Sequence, residues 1–541
     1  MGGDETHPMW IIFTLVLTSG PILAMCPSRC SCNDDSLQAS CVNMSLEVVP
    51  IQLNPEVKYI NLSFNKINNI LFTLSIYNNL VTLDLSSNKL QTLGTNNFES
   101  QRNLKHLNLS RNEIDDVLKD SFRGLRALKI LDMSHNRLEQ FTAHAFRELQ
   151  SLEVLYLTGN QIIELEEDLL EPAKLLRELY MNSNQLLSVP ESAIKHCLKL
   201  KVFSLSQNLI KSIEEEDMPS LPELEYLELN NNVIDEIHQD AFSGIASLEY
   251  LDLSDNNFTV VPTTSLSKLT KLTKLYLSGN FFTNVPPVGF RSLFHLTYLK
   301  LDRLEMLVKI DSRAFVDNIK LEKVWMDNNI ALTTLPTRLF HGNPKLTYVS
   351  VKNCQISTLE ASHFPLDQLK VFHLGGNPLL CNCSIIWLWK LVHLQKNKQL
   401  NLTENSEFVI DVDNITCSGP EQLQGLLLMN ATESQVGCSV SWIIIAFASV
   451  GMLLVLSVAV GFLYCGPMRK NSKSTNQNQN VPTTPEEAHH YEEPIADKYI
   501  IGPSLIREYK TLPNWEPYGD DRNPYGSYNT PVKARPHIVY V

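Results

Sequence analysis

Two consecutive stretches decide the fold: Leu80 begins LVTLDLSSNKLQTLGTNNFESQRN, and Leu104 begins LKHLNLSRNEIDDVLKDSFRGLRA. They align at a spacing of 24 residues and share the pattern L-x-x-L-x-L-x-x-N-x-L. The same interval separates all successive starting leucines from Leu80 to Leu296. Such a fixed period indicates a repeat array in which each unit packs mainly against its neighbours.

The array contains fourteen units when the spacing is allowed to vary at its two ends. They begin at Val57, Leu80, Leu104, Leu128, Leu152, Leu176, Leu200, Leu224, Leu248, Leu272, Leu296, Leu321, Leu346 and Leu369. Each unit predicts a short strand at L-x-L, with its leucines in a shared core and the intervening positions outward on the concave side. This is an α/β solenoid.

The ninth position of each unit is the second feature of the pattern. It is Asn in twelve of the fourteen units, from Asn65 to Asn377. We expect this side chain to hydrogen-bond buried backbone groups of neighbouring units, which need such partners. Leu304 replaces the Asn in one unit, and that unit and the next each contain one extra residue. A local irregularity is therefore predicted near 304–320.

Two apolar segments predict the compartment. Residues 1–24 contain the apolar run from Trp10 to Ala24, which is typical of a secretory signal peptide. Residues 442–464 are 23 in number and uncharged, and basic residues follow them. At about 1.5 Å per residue they are long enough to cross a hydrocarbon core of about 30 Å. The basic side places residues 465–541 in the cytoplasm, so we expect a type I plasma-membrane protein.

Eight N-glycosylation sequons support this topology, because all of them precede the membrane segment. They are Asn43, Asn61, Asn108, Asn257, Asn382, Asn401, Asn414 and Asn430. Asn61 and Asn108 stand at the middle of L-x-L, on the concave side. Glycans there would shield the first units, so ligand binding is expected to favour the later ones.

Cysteine clusters flank the repeats, where a repeat array would otherwise expose its core. The clusters are Cys26-x3-Cys30-x-Cys32-x8-Cys41 and Cys381-x-Cys383-x33-Cys417-x20-Cys438. A zinc site is the alternative for four cysteines, but a secreted chain favours disulfides. Four cysteines allow three pairings, so the residues alone leave the connectivity open.

Three further cysteines complete the eleven in the chain. Cys354 occupies the Asn position of its unit and Cys197 a late apolar position. We expect both to be buried, with a redox or intermolecular role as the alternative. Cys465 follows the membrane segment, where S-palmitoylation and an idle thiol remain equally open.

The composition excludes some functions. The formal charge of the 541-residue chain is −14, which argues against nucleic acid as the main partner. No nucleophile elbow, H-E-x-x-H motif or phosphate-binding loop occurs in the extracellular part. We therefore expect neither an enzyme nor a bound cofactor or metal.

Aromatic side chains at outward strand positions predict a ligand-binding patch. They lie on six successive units and are Tyr226, Tyr250, Tyr276, Tyr298, Trp325 and Tyr348. Tyr156 and Tyr180 hold the same kind of position earlier, and Ser204 interrupts the run. Tyr and Trp are enriched at interface hot spots. The alternative is that aromatics are simply favourable in strands.

The segment 465–541 predicts a disordered tail that binds adaptors. It holds seven of the seventeen tyrosines and no sustained apolar periodicity. Tyr491 and Tyr528 begin motifs that resemble SH2 ligands once phosphorylated, and Tyr509 begins one that resembles an endocytic signal. The terminal Val539-Tyr540-Val541 fits a PDZ ligand.

The chain resembles the extracellular leucine-rich-repeat family with N- and C-terminal cysteine-rich caps, which includes Toll ectodomains, Slit, connectin and tartan/capricious proteins. The matching residues are CPSRCSC at 26–32, the fourteen units, NPLLCNC at 377–383, Trp387 and TCSGPEQLQG at 416–425. The resemblance implies a horseshoe of repeats at 57–378 between disulfide-rich caps at 25–56 and 379–440. It also implies the pairs Cys26–Cys32, Cys30–Cys41, Cys381–Cys417 and Cys383–Cys438.

Family members mostly recognise other proteins. The tail is too short for the intracellular TIR domain that follows Toll ectodomains. The chain is therefore expected to be a cell-surface receptor or adhesion protein that binds an extracellular protein ligand through its concave face, with homodimerisation left open. The alternative is a co-receptor or decoy ectodomain that modulates another signalling receptor in innate immunity or development.

Overall fold

The computed structural model describes residues 26–400, 408–437 and 450–457. The chain divides into two compact units, Met1–Gly451 and Met452–Val541. The predicted signal peptide, the tail, Asn401, Cys438 and Cys465 lie outside the described residues. Of the predicted membrane segment, only 450–457 are described, and they are helical. Within the described ranges, no helix has the length and apolar character needed to cross a bilayer.

One sheet of seventeen short strands, counted over the described residues, runs along the repeat array. Its strands are Ser31–Asn33, Gln38–Ser40, Tyr59–Asn61, Thr82–Asp84, His106–Asn108, Ile130–Asp132, Val154–Tyr156, Glu178–Tyr180, Val202–Ser204, Tyr226–Glu228, Tyr250–Asp252, Lys274–Tyr276, Tyr298–Lys300, Lys323–Trp325, Tyr348–Ser350, Val371–His373 and Val409–Ile410. Each repeat strand pairs in parallel with the strand of the next unit, without a register shift. We call the solvent-facing side of this sheet the concave face.

The alternation of the strands explains why this sheet forms. The central residue of each repeat strand, such as Leu227 or Leu251, is fully buried, while the residues on either side face outward. A three-residue strand makes few bonds alone, so the parallel neighbours and the common apolar core stabilise it together. The strand at L-x-L is therefore where the sequence pattern places it.

The asparagine ladder joins each unit to the one before it. Asn184 is typical: its Nδ2 donates to Leu157 O and Met181 O, each at 3.0 Å. Its Oδ1 accepts from Ile162 N at 3.1 Å. Equivalent bonds recur along the array, for example at Asn112. The predicted role of the ninth position is confirmed.

The residue before each ladder position adopts a left-handed backbone, which the sequence pattern did not reveal. All fourteen units have it, with φ values from 53° at Asn353 to 78° at Gly376. The residues are Phe64, Ser87, Arg111, His135, Gly159, Ser183, Gln207, Asn231, Asp255, Gly279, Arg303, Asn328, Asn353 and Gly376. The tight turn lets the chain leave the strand and aim the next side chain inward, at a steric cost for residues other than Gly.

The ladder is interrupted at two units late in the array. Leu304 is buried but has no side-chain amide to make the ladder bonds. Within the predicted irregular stretch, the chain forms a turn in which Leu307 N donates to Leu304 O. The thiol of Cys354 donates to Met326 O at 3.2 Å, one of the carbonyls that an Asn would reach. The units that begin at Leu296 and Leu321, each with one extra residue, keep the sheet register, so the extra residues lie outside the strands.

The other side of each unit is built from turns, short helices and a column of phenylalanines. Phe290, Phe315 and Phe340 stack on one another at centroid distances of 5.8 and 5.6 Å. Two-stranded sheets pair Ser212–Ile213 with Glu236–Ile237 and Asn284–Val285 with Lys309–Ile310. The short helices within the repeats are Thr73–Ile76, Glu191–Ile194, Ser243–Ile245, Thr263–Leu266 and Ala361–His363.

The N-terminal cap covers the first repeat strand with a hairpin. Ser31–Asn33 pairs antiparallel with Gln38–Ser40, which continues in parallel with Tyr59–Asn61. Disulfides join Cys26 to Cys32 and Cys30 to Cys41. These are the pairings that the family resemblance implies.

The C-terminal cap closes the other end of the core. Asp411 accepts backbone bonds from Leu374 N and Gly375 N at 2.9 and 2.7 Å, in place of a further repeat. Cys381 is bonded to Cys417, and Cys383 is also disulfide-bonded. The cap contains Leu379–Leu380, Cys383–Ile385, Ile386–Leu400, Val409–Ile410, Val412–Asn414, Cys417–Gly419, Glu421–Leu423, Leu428–Asn430 and Glu433–Val436.

Candidate ligand-binding face

The six aromatic residues singled out from the sequence all lie at the first or third position of their strands. Each of them is half-buried, so part of every ring is open to solvent on the concave face. Tyr226 and Tyr250 are register partners on adjacent strands, about 4.8 Å apart. From Tyr250 onwards the aromatic residues alternate between the first and the third strand position, so each is offset by two residues from the next. The structure therefore brings the predicted residues together on one face.

The rings form two groups of three, and neighbouring rings are in contact within each group. Tyr226 stacks on Tyr250 at a centroid distance of 4.0 Å, and Tyr250 contacts Tyr276 at 5.1 Å. Tyr298 stacks on Trp325 at 6.1 Å, and Trp325 contacts Tyr348 at 4.8 Å. Aromatic contacts of this kind fix the ring positions before any ligand arrives.

Three lysines contact the rings, and one of them, Lys300, bridges the two aromatic groups. The Nζ of Lys300 lies 5.4 Å from the Tyr276 centroid and 5.5 Å from that of Trp325. Lys274 and Lys323 approach the Tyr298 ring at 5.7 and 5.2 Å. These distances lie within the range of cation–π attraction. We call Lys274, Tyr276, Tyr298, Lys300, Lys323 and Trp325 the lysine–aromatic lattice.

Charge changes sign abruptly along the concave face. Among the outward positions of the described repeat strands, those before Lys274 carry acids and no lysine or arginine. The acids are Asp84, Asp132, Glu178, Glu228 and Asp252. From Lys274 onwards the same positions carry three lysines and no acid. The later half thus offers positive charge in a chain that is acidic overall.

Burial within the aromatic run shifts its titrating groups away from the charged form. Burial raises the pKa of Tyr250 to about 12 and also raises the pKa of Tyr226, whose hydroxyl donates to Glu228 at 2.7 Å. Burial likewise raises the pKa of Asp252. The tyrosines remain neutral hydrogen-bonding groups at physiological pH.

The earlier tyrosines form a separate pair. Tyr156 stacks on Tyr180 at 4.8 Å. Ser204 on the next strand donates to Glu228 at 2.7 Å and separates this pair from Tyr226. The interruption expected from the sequence is therefore present in the structure.

Two of the sequon asparagines have a structural role in the strands. Asn61 Oδ1 accepts from Ser63 N at 2.9 Å, and Asn108 Oδ1 accepts from Ser110 N at 3.0 Å. Asp84 makes the same bond to Ser86 N at 2.8 Å. The bond uses the oxygen and leaves Nδ2, the atom that carries an N-linked glycan, for other partners. The sequons at Asn43, Asn257, Asn382, Asn414 and Asn430 are exposed.

The two unpaired cysteines of the repeats are buried. Burial raises the pKa of Cys197 and of Cys354 to about 12 in each case. A neutral, enclosed thiol is a poor nucleophile, which favours the structural interpretation over the redox one.

The zinc alternative for the caps finds no support in the described residues. Cys26, Cys30, Cys32, Cys41, Cys381, Cys383 and Cys417 are disulfide-bonded. Across the described ranges, no group of three or more His, Cys, Asp or Glu residues is placed to hold a metal ion.

Comparison with known proteins agrees with this architecture. A family model described as "Leucine rich repeat" matches six overlapping ranges: 78–138, 102–162, 129–186, 174–234, 222–282 and 250–305. A second model, "BspA type Leucine rich repeat region (6 copies)", matches 283–380. Together they cover 78–380, more than half of the 541 residues.

The curated relatives are similar over a short part only. Oligodendrocyte-myelin glycoprotein from Mus musculus is 33% identical over 82 residues, which is 15% of this chain and 19% of that protein. The Homo sapiens protein matches to the same extent. The chain thus covers about a fifth of these relatives.

Solved structures share the fold over most of the chain. The Drosophila Toll–Spatzle complex contains a chain that matches with a TM-score of 0.57 and 21% identity, covering 72% of this chain and 59% of that one. A chain of the LRIM1/APL1C complex matches with a TM-score of 0.56 and 19% identity, covering 81% and 80%. With its repeats, its ladder and its disulfide-bonded caps, the chain belongs to the leucine-rich repeat proteins.

Proposed function

We propose that this chain is a single-pass type I plasma-membrane receptor or adhesion protein that binds an extracellular protein ligand on the later half of its concave face. The signal peptide at 1–24, the membrane segment at 442–464 and the adaptor-binding tail at 465–541 are parts of this proposal. The disulfide-bonded caps support it, because disulfides persist in oxidising, extracellular surroundings.

The observation that carries the proposal is the aromatic run from Tyr226 to Tyr348. Its rings are held by mutual stacking and by lysines, and each remains partly open to solvent. Rigid aromatic side chains supply contact area at a low entropic cost on binding, which is why they dominate interface hot spots. Within this fold, Toll has been solved with Spatzle and LRIM1 with APL1C, so such arrays do form complexes.

The test displays the full chain on cells and screens it against secreted and cell-surface proteins. The variant with Tyr250, Tyr276, Tyr298 and Trp325 all changed to alanine is expected to lose the ligand while surface expression stays normal. The matched control changes Tyr156 and Tyr180 to alanine, which removes a stacked pair of the same face. Equal binding by the wild type and the fourfold variant would refute the site.

A second test addresses glycosylation without disturbing the strands. Asn61→Asp and Asn108→Asp keep the oxygen that accepts from Ser63 N and Ser110 N, as Asp84 does with Ser86 N. If glycans shield the early units, both variants migrate faster on gels and expose new surface there. Unchanged mobility of both variants would remove the shielding argument.

The tail decides between the two proposed roles. An adaptor-binding receptor requires Tyr491, Tyr509, Tyr528 or the Val539–Val541 terminus, and palmitoylation at Cys465 would add a membrane contact. A co-receptor or decoy acts through its ectodomain beside another chain. Replacing residues 471–541 with a neutral linker should abolish signalling in the first case and preserve activity in the second.

A further inference from the structure

We infer that the ligand contributes a short acidic polypeptide segment, which seats its carboxylates on the three lysines of the lysine–aromatic lattice. This inference rests on the proposed function, because it names the chemistry that the concave face recognises. It goes beyond a general aromatic patch by assigning the contact to the units that begin at Leu272, Leu296 and Leu321.

The first support is the state of the lysines. Among the described residues, none of the three lysines forms a salt bridge, and their Nζ atoms lie 5.2 to 5.7 Å from aromatic ring centroids. The nearest charge effect is that of Lys300 on Asp302. Two lysines of earlier units on this side of the array are paired with acids: Lys129 with Glu153 and Lys201 with Glu225, each at 2.6 Å. A ring holds an ammonium group in place without neutralising its charge, so the lattice keeps positive charge that only Asp302, near Lys300, offsets in part.

The second support is that the neighbouring acids are already engaged. Asp302 accepts from Asp327 N at 2.9 Å, and Asp327 accepts from Lys352 N at 2.7 Å and from Ser350 Oγ. Asp255 is held by Arg303 through two bonds of 2.8 and 3.0 Å. These carboxylates stabilise the turns after the strands, so the positive charge of the lattice remains available to a ligand.

The third support is geometry. Lys274 and Lys323 occupy the same strand position two strands apart, so their Cα atoms are separated by about 10 Å. Lys300 is offset by two residues on the intervening strand, about 8 Å from each of the others. Alternate side chains of an extended peptide are about 7 Å apart, so a segment with acids at every second residue can reach two or three lysines.

The fourth support is the sign change along the face. An acidic segment is repelled by the outward acids that end at Asp252 and attracted from Lys274 onwards, which fixes where on the array it seats. The apolar parts of Tyr276, Tyr298 and Trp325 exclude water around the ion pairs, as hot-spot residues do. The early concave face has one stacked pair, Tyr156 and Tyr180, but it carries acids and no lysine at its outward strand positions.

The experiment measures binding of fluorescent poly-L-glutamate to cells that display the full chain, with polyglutamine and fluorescent heparin as comparison probes. The test variant is K274M/K300M/K323M, which keeps much of the aliphatic stem. The control variant is K105M/K129M/K201M, which removes the same total charge from the earlier units. Surface expression of each variant is measured with an antibody to an added tag.

We expect the wild type and the control variant to bind poly-L-glutamate alike and the test variant to bind roughly tenfold more weakly, given the modest strength of each exposed ion pair. Binding should also weaken as salt is raised. Equal loss in both variants, or loss of heparin binding with poly-L-glutamate binding unchanged, would overturn the inference.

A protein ligand from the screen separates this inference from the proposed function. If that ligand requires the four aromatic residues but binds the lysine variant normally, the proposed function stands and the acidic segment is refuted. If the lysine variant loses the ligand and the control keeps it, both are supported. Poly-L-glutamate binding at the lysines without any protein ligand in the screen would support the charge site and contradict the receptor role.

Discussion

Replacing Asn184 with alanine tests whether the asparagine ladder holds neighbouring units together. The side chain is 8% exposed, donates to Leu157 O and Met181 O, accepts from Ile162 N and also donates, at a longer 3.4 Å, to Asn182 O. Leu157 O and Met181 O keep a second amide donor, from Asn160 and Asn208. Only the Ile162 N–H loses its side-chain acceptor altogether.

The magnitude follows from this partition. The carbonyls that keep another donor lose about 0.5 kcal/mol each, and the buried Ile162 N–H left without an acceptor costs about 1 to 3 kcal/mol, which together give a loss of roughly 3 kcal/mol. Since units in a solenoid interact mainly with their neighbours, the loss should be local. A change of about 3 kcal/mol corresponds to more than a hundredfold faster opening-limited exchange at the Ile162 amide.

The assay combines hydrogen exchange with urea denaturation of the purified full chain. Asn182→Ala is the matched control, because Asn182 lies two residues away and is half-buried. Among the described residues, its side chain is hydrogen-bonded only to Thr158. It should change stability by less than about 1 kcal/mol. If Asn184→Ala left exchange at Ile162 and the urea midpoint at wild-type values, the ladder would not hold the units together.

Three further predictions concern single groups. Ser87→Val should lower the free energy of unfolding by about 1–2 kcal/mol in urea titration, because a β-branched residue is strained at φ 54°, whereas Ser87→Gly should be nearly neutral. Cys197 and Cys354, with pKa values raised to about 12, should resist iodoacetamide at pH 8 in the folded chain and react in urea; rapid labelling of the native protein would contradict their burial. Asp252→Asn should raise the urea midpoint at neutral pH, because burial raises the pKa of Asp252 above its ordinary value of 3.8. In the folded chain, ionisation of this carboxyl is therefore unfavourable, so the gain should appear as pH rises through the folded pKa and vanish well below 3.8; a gain of equal size at low pH would contradict this account.

The repeat pattern predicts the fold closely because one physical requirement recurs in every unit. Leucines such as Leu227 must be buried, and the Asn of each unit must satisfy backbone groups between units. The aromatic positions follow from the strand alternation, so the six residues of the candidate site are readable from sequence. The disulfide pairing depends on resemblance, because spacing alone allows three connectivities.

Other features are hidden from the pattern. Only three of the fourteen left-handed residues are glycines, Gly159, Gly279 and Gly376, so the composition gives little sign of this backbone conformation. The change of sign at Lys274 is present in the sequence but appears only when the outward strand positions are compared across units. The cation–π contacts depend on side-chain conformation and offset across strands, which a linear pattern does not encode.

The asparagine ladder is interrupted at Leu304 and at Cys354, in two units near the C-terminal end of the array. The ladder asparagine between them, Asn329, keeps its bonds to Leu301 O and Leu304 N. At the Leu304 interruption, the amide of Asn318 joins that unit to the one before it instead, because it donates to Phe290 O and Leu293 O at 2.9 and 3.1 Å. Lys274, Lys300 and Lys323 lie on three successive units, and the middle one is the unit in which Leu304 replaces the asparagine. A ligand that bridges them would add contacts between units where the asparagine ladder is interrupted, and its binding would then stabilise the array at that point.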